Sequence, residues 1–347
     1  MKIFVTGGLG FIGSNFISMQ IDKHKNEILN FDKLTYAANV NNLLKYKKNK
    51  LYNFVQGDIV DSKKILKILN SYKPDCIINF AAESHVDRSI DGPKEFINTN
   101  IIGTYELLNA TLKHYELNYK ENENHFRFIH VSTDEVYGSL GKQGYFKENT
   151  RYNPSSPYSA SKASSDHLVR AWNLTFNLPT IITNCSNNYG PFQFPEKLIP
   201  LMIINCLKHN SLPIYGDGKN IRDWLYVADH CDALYSVILN GKNGEAYNIG
   251  GNQEKNNLEI VSIICKILDE KIPSNKIVSY KELITFVKDR PGHDFRYAID
   301  ASKIKKHLNW SPRYTFEDGI KKTIDWYIKN KDWWKNLYSS ERLGNLK

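Results

Sequence analysis

Five residues in this chain could together carry out redox and acid–base chemistry on a polyol: Thr133, Asp134, Glu135, Tyr158 and Lys162. The first three lie in Ser132-Thr133-Asp134-Glu135-Val136-Tyr137-Gly138, directly after the apolar run Phe128-Ile129-His130-Val131. That order places a hydroxyl and two adjacent carboxylates at the mouth of an expected strand. Tyr158 and Lys162 are four residues apart and share one face of a helix. An ammonium beside a phenol favours the phenolate, so the pair predicts a tyrosine base of lowered pKa acting on a sugar hydroxyl. The spacing alone carries little, because Tyr46/Lys50, Tyr215/Lys219 and Tyr327/Lys331 share it. Tyr158 stands apart by its place, at a helix start after Pro157 and downstream of the strand that delivers Thr133. Ser159, Ala160 and Ser161 are small enough to let that turn approach a cofactor.

Acidic pairs in loops are usually solvated, but at this strand end Asp134 and Glu135 can act as an acid and a base. Oxidation of a sugar C4 hydroxyl makes the C5 hydrogen acidic. One carboxylate can then remove it, while a protonated carboxyl donates to the departing C6 hydroxyl. Such a division needs two carboxyls with separated pKa values. A simple alcohol dehydrogenase needs fewer groups; this set suits oxidation of a sugar, loss of water and re-reduction.

Holding these groups requires a sheet whose strand ends converge. Short β-rich runs alternate with helical patterns through the first half, predicting an α/β fold with a Rossmann-type doubly wound parallel sheet. Strands are expected at Lys2–Thr6, Glu27–Phe31, Tyr52–Gln56, Asp75–Phe80, Arg127–Ser132 and Thr180–Cys185, and helices at Gly10–Gln20, Ser62–Ser71, Glu95–Tyr115 and Ser159–Phe176. Asn184–Tyr189 is assigned to the same sheet. After about Pro191 the alternation breaks, so residues 1–190 form the first domain, with some later segments returning to it. Residues 191–347 form a smaller α/β lobe and a tail, with strands at Ile221–Val227 and Glu245–Ile249 and helices at Leu258–Leu268 and Phe316–Ile328. A ligand is expected between the two, beyond the carboxyl ends of the strands.

Thr6-Gly7-Gly8-Leu9-Gly10-Phe11-Ile12-Gly13 follows the first strand and opens the first helix. Gly7, Gly10 and Gly13 allow a tight turn, close approach to a pyrophosphate and helix–sheet packing, with Phe11 and Ile12 in the same turn. Asp32 ends the second strand nineteen residues later, where an acid binds ribose hydroxyls and repels a ribose phosphate. NAD is therefore the expected cofactor, with Lys33, Leu34 and Thr35 beside that acid. Asp58 and Ile59 after the third strand, and Phe80, Ala81, Ala82, Glu83 and Ser84 after the fourth, extend the same rim.

Composition is that of a globular chain: 347 residues, 41% hydrophobic and 24% charged. The net charge of +9 raises nucleic acid as a partner. The lysines lie in scattered Lys/Asn-rich stretches, so a solvated basic surface is the preferred reading. No apolar stretch suits a bilayer, and no metal site is expected. Five scattered cysteines (Cys76, Cys185, Cys206, Cys231, Cys265) predict free buried thiols, and Met1–Val5 lacks the order of a signal peptide, so a cytoplasmic location is expected.

At these residues the chain closely resembles the nucleoside-diphosphate-glucose 4,6-dehydratases of the extended short-chain dehydrogenase/reductase family, most closely those using dTDP-glucose. The resemblance runs in order through Thr6–Gly13, His85-Val86-Asp87-Arg88-Ser89, Ser132–Gly138, Tyr158–His167, Asn184–Pro191, Phe194–Leu198, Tyr215–Gly218, Arg222–Tyr226, Tyr247–Gly251 and Asp289–Asp294. It implies that Tyr158 takes the C4 hydroxyl proton as hydride passes to NAD, supported by Lys162 and Thr133. It further implies that Glu135 takes the C5 proton, that Asp134 protonates the C6 hydroxyl, and that the hydride returns to C6. Thr99 and Asn188 would touch the cofactor. Ser84, Thr133, Asn187, Lys197, Leu198, Pro213, Tyr215, Arg222, Asn257, Arg290 and His293 would hold a nucleotide sugar, the basic members matching a diphosphate. A homodimer through helices such as Glu95–Tyr115 and Ser159–Phe176 is implied too. Ala38 stands where relatives often have Gly, and the tail Asn330–Lys347 is expected only to pack at the C-terminal edge. A sugar-nucleotide 4-epimerase would share Thr133, Tyr158 and Lys162 but needs no carboxyls aimed at C5 and C6. A UDP-glucose enzyme, and a non-catalytic NAD module that binds nucleic acid, are the remaining alternatives.

Overall fold

The apolar runs near the start of the chain become neighbouring strands of one sheet in a computed structural model that describes residues 1–119 and 126–338. The strands are β1 (Lys2–Thr6), β2 (Glu27–Asp32), β3 (Tyr52–Gln56), β4 (Cys76–Asn79), β5 (Arg127–Thr133), β6 (Thr180–Cys185), β7 (Asn187–Tyr189), β8 (Leu212–Tyr215), β9 (Ile221–Tyr226), β10 (Ala246–Ile249), β11 (Glu254–Asn256) and β12 (Ile284–Val287). The helices are α1 (Phe11–Asp22), α2 (Ser62–Tyr72), α3 (Val86–Asp91), α4 (Pro93–Phe96), α5 (Thr104–Asn118), α6 (Pro157–Phe176), α7 (Leu198–Lys208), α8 (Val227–Asn240), α9 (Asn257–Lys271), α10 (Ser302–Leu308), α11 (Phe316–Lys329) and α12 (Lys331–Lys335).

Seven strands form the main sheet in the order β10-β6-β5-β4-β1-β2-β3. Every pairing in it is parallel. Strand order changes direction between β1 and β4, and a crevice opens there at the carboxyl ends. Both faces of the inner strands are covered, so strands such as β1 and β4 read as nearly continuous apolar runs, whereas the edge strand β3 is partly exposed. In β5, Ile129 and Val131 enter the core that holds Phe16, Ile181 and Leu234, whereas Phe128 enters the opposite core with Phe4, Phe31 and Val169. A separate core in the second lobe joins Ile203 of α7, Ile264 of α9 and Ile320 of α11. The chain crosses back after 191: β10 pairs with β6, and α8, Ile304 and Trp310 pack in the first core. No described helix is long and apolar enough to cross a membrane.

Three expectations are corrected. Asn187–Tyr189 leaves the main sheet and pairs with β9, because fully buried Tyr189 packs on Trp224, Tyr226 and Phe316 of the second core. The single helix Glu95–Tyr115 is instead α4, a π-helical stretch Ile97–Gly103 and α5. The wider turn aims Asn100 inward and lets Gly103 pack on Ile59, where a Cβ would come within 2.6 Å. The described part of the tail reaches further than an edge. Trp333 Nε1 donates to Asn42 Oδ1 (2.7 Å), and Asn42 in turn donates to the Leu9 carbonyl (3.0 Å), bracing the glycine loop.

Candidate active site

A cleft of about 300 Å³ lies beyond the strand ends, lined by the glycine loop, the ends of β2 to β5, the first turn of α6 and the segment Gln193–Lys197. Gly7 has φ +69°, and a Cβ there would meet Ala81 N at 2.6 Å; a Cβ on Gly13 would meet Gly7 O at 2.5 Å. Loop, strand and helix therefore touch backbone to backbone. Gly10 caps α1 without a side chain, leaving the first-turn N–H groups of Phe11, Ile12 and Gly13 facing a cleft that those residues line. That is an anion site. Asp32 accepts from Leu9 N (2.9 Å) and Leu34 N (2.8 Å); burial pushes its carboxyl up and those two N–H groups pull it back. This cradle, with its buried acid at the end of β2, fits the pyrophosphate and ribose of NAD.

Lys33, Thr35, Asp58, Ile59, Phe80, Ala81, Ala82, Glu83, Ser84, Thr99 and Asn188 line the same cleft. A Lys33–Asp58 ion pair (2.7 Å) spans its rim. Leu34 does not line it. Its φ is +62°, its backbone N–H donates to Asp32, and its partly buried side chain packs against the core, so it shapes the rim beside that acid. Ala38 lines the cleft and keeps a negative φ, which explains why a side chain is tolerated there.

β5 ends at Thr133, and the next turn, Asp134–Tyr137, is capped by it: Thr133 Oγ1 accepts from Glu135 N (3.2 Å) and donates to Asp134 Oδ1 (3.3 Å). One hydroxyl thus holds the Asp134 carboxyl and the Glu135 backbone. Gly138 closes the turn at φ +90°. Across the cleft, Ser156 and Ser159 form a capping box and Pro157 opens α6, which places Tyr158 in the first turn. Its hydroxyl lies close enough to Thr133 for that side chain to act on its pKa.

The two carboxyls differ in environment. Asp134 is 1% exposed and its Oδ2 has no hydrogen-bond partner. Burial, then Glu135 and Asp223, hold it well above the usual carboxylate range. Glu135 is also raised by burial, but Arg290, Arg222 and Lys197 pull it back. Acidic neighbours thus add to burial at Asp134, whereas cations offset it at Glu135, which biases a shared proton toward Asp134. This is the separation that acid–base elimination requires.

The expected Lys162 effect on Tyr158 is not realised. Lys162, 4% exposed, donates to the Val131 carbonyl (2.9 Å) and lies 3.5 Å from His130 Nε2. Burial lowers its pKa, and Asp166 offsets part of that. Tyr158 is instead pushed well up by burial, Glu135 and Cys185, with Thr133 acting in the lowering direction. A buried ammonium takes the nearest carbonyl, and here β5 supplies it.

Among the expected sugar-nucleotide contacts, Ser84, Thr133, Asn187 and Lys197 line the cleft. Tyr215, Arg290 and His293 cluster beside it: Tyr215 and Arg290 both reach Asp87 (3.3 and 3.1 Å), and the His293 ring lies 6.2 Å from Tyr215. Arg222 stacks on Tyr297 (4.2 Å) and donates to the Asp294 carbonyl. Leu198, Pro213 and Asn257 stand on α7, β8 and the first turn of α9, outside the cleft lining.

Sequence reasoning missed a buried polar layer beneath the site. Thr6 donates to Asn79 (2.6 Å), Asn79 meets His130 (3.2 Å), and His130 faces Asp166 (3.4 Å). Asp166 also accepts from Ser132 (2.8 Å), Tyr152 (2.9 Å) and Asn184 (3.3 Å). Asn100 ties Glu83 on the rim to Ser161 on α6. The one available signal was the run of polar residues inside otherwise apolar strands.

The chain matches the family model for GDP-mannose 4,6 dehydratase over residues 4–323. It is 54% identical over 359 residues to the dTDP-glucose 4,6-dehydratase of Escherichia coli, covering 99% of each chain. The NAD complex of dTDP-glucose 4,6-dehydratase from Bacillus anthracis superposes with TM-score 0.86 at 47% identity, covering 97% of this chain and 100% of that one. DesIV of Streptomyces venezuelae, a dTDP-glucose 4,6-dehydratase with NAD bound, gives TM-score 0.89 at 41% identity and the same coverage. Similarity of this extent, over nearly the whole chain, places it in the dTDP-glucose 4,6-dehydratase family.

Proposed function

We propose that the protein converts dTDP-D-glucose to dTDP-4-keto-6-deoxy-D-glucose by C4 oxidation, loss of water across C5 and C6, and reduction at C6. The observation that carries this reading is the pair of adjacent carboxyls with opposed environments, facing Tyr158 across the cleft. Bound NAD supplies the hydride acceptor for C4 and the donor for C6, with no net consumption. Tyr158 takes the C4 hydroxyl proton beside Thr133, and Lys162 anchors the turn of α6 to β5. Glu135, kept available as a carboxylate by Arg290, Arg222 and Lys197, takes the C5 proton. Asp134, pushed well above the usual carboxylate range by burial, donates to the C6 hydroxyl as it leaves. The glycine loop, Asp32, Thr99 and Asn188 hold the cofactor. Lys197, Arg222 and Arg290 face the diphosphate, and Ser84, Asn187, Leu198, Pro213, Tyr215, Asn257 and His293 complete the nucleotide-sugar site.

The test is incubation with dTDP-glucose. A 4-keto product, read by its chromophore in alkali, supports dehydration; dTDP-galactose alone would identify a 4-epimerase. The uracil of UDP-glucose lacks the thymine methyl, worth about 1–3 kcal/mol in a hydrophobic pocket, so weaker use of it is expected. A homodimer is supported by apolar side chains exposed together on neighbouring helices, Ile102 and Tyr105 on one and Leu174 and Phe176 on α6. A cytoplasmic location is supported by five buried cysteines that all remain free thiols.

A further inference from the structure

The segment His85-Val86-Asp87-Arg88-Ser89 is used by no step of the dehydration. It opens α3 at the edge of the cleft, on the cofactor-binding half, and its charged side chains reach residues from later in the chain. Arg88 donates from Nε (3.2 Å) and Nη2 (3.1 Å) to Glu196 Oε2. Its guanidinium lies 3.6 Å from the centroid of the Tyr36 ring, and the Tyr36 hydroxyl donates to Glu196 Oε1 (3.1 Å). Phe194 meets the same Tyr36 ring edge-on at 5.6 Å. Lys197 Nζ donates to the Ser84 carbonyl (2.9 Å). Tyr36, Ser84, Phe194, Glu196 and Lys197 all line the cofactor cleft. The segment Gln193–Lys197 is thus one wall of that cleft, and Arg88 and Tyr36 fasten it to the opposite wall.

We infer that Arg88, Tyr36 and Glu196 form a clasp that retains the dinucleotide through the reaction cycle. The fastening is built to hold. The Glu196 side chain is only 6% exposed, so its charge is worth more to Arg88 than a surface pair would be. The flat guanidinium stacks on the aromatic face while giving the carboxylate two N–H bonds, a planar geometry that an ammonium lacks. The purpose rests on the proposed function: hydride removed from C4 must return to C6 of the same sugar, and a cofactor lost between those events strands the intermediate.

The test is release of NAD from the holoenzyme. Protein carrying radiolabelled NAD is mixed with excess unlabelled NAD, and the label retained is followed by rapid filtration. Arg88→Met and Glu196→Gln should each release label about tenfold faster or more, as expected when one partner of a desolvated charge pair is removed. Arg88→Lys should fall between them and wild type. The double variant should release scarcely faster than either single one, since all three break the same link. Melting with saturating NAD confirms that the variants fold, and Arg88→Lys serves if a larger change does not. Wild-type release rates from the folded variants would overturn the clasp and leave dehydration standing, as would fully additive effects. A wild-type protein that retains no NAD at all would overturn both.

Discussion

Replacing Glu135 with Gln separates oxidation from elimination. Glu135 is the carboxyl that three cations keep available as a base, whereas Asp134 has burial and two acidic neighbours pushing its pKa up. The amide fills the same space and cannot accept the C5 proton. A positioned base contributes about 10²–10⁴-fold, or about 3–5 kcal/mol of barrier. Exchange of the C5 hydrogen in D₂O, followed by NMR, should fall by that factor, and product formation with it. C4 oxidation precedes this step, so reduced-nicotinamide absorbance should build up in a single turnover. A second consequence concerns Tyr158, whose pKa Glu135 raises more than any other charge does. The amide removes that charge, so the Tyr158 pKa falls and the acidic limb of the oxidation burst moves to lower pH. C5 exchange at near wild-type rates, or a limb that moves to higher pH, would refute this reasoning.

Asp134→Asn should leave the C5 base in place while removing the acid, so C5 exchange continues while product formation drops by about 10²–10⁴-fold. The ratio of exchange to product, read from one NMR time course, checks it. Gly13→Ala puts a Cβ 2.5 Å from Gly7 O. The loop must shift, and the variant should purify without the ultraviolet absorbance of bound nucleotide. His130 is fully buried and its pKa is lowered to about 4. The unfolded chain, titrating near 6.5, binds more protons between those values. His130 therefore supports stability above about pH 6.5, and acidification to about pH 4 removes up to about 3 kcal/mol. The urea midpoint should fall more steeply from neutral to acid pH for wild type than for His130→Gln, and equal slopes would contradict the assignment.

The parts of this molecule legible in the sequence are those fixed by neighbours along the chain. The glycine loop, the acid ending β2, the Ser156-Pro157 helix start and the Thr133 turn each depend on a few consecutive residues, and each appears where expected. What escaped depends on distant partners. Lys162 points at Val131 because β5 lies beneath α6, which a four-residue spacing does not reveal. β7 leaves the main sheet because Tyr189 finds an aromatic cluster from two later segments, β9 and α11. Arg88 and Glu196 are 108 residues apart, and neither has local features that announce the other. The polar layer of Asn79, His130 and Asp166 is likewise assembled from β4, β5 and α6. Residues Ser339–Lys347 of the expected tail lie outside the described residues.

The central claim is that one hydride leaves C4 and arrives at C6 of the same sugar. The most direct measurement mixes dTDP-glucose deuterated at C4 with undeuterated dTDP-glucose carrying ¹³C, and analyses the 6-deoxy product by mass spectrometry. Deuterium at C6 confined to molecules without ¹³C is the predicted result. Deuterium spread across both populations, or lost to solvent, would contradict the account.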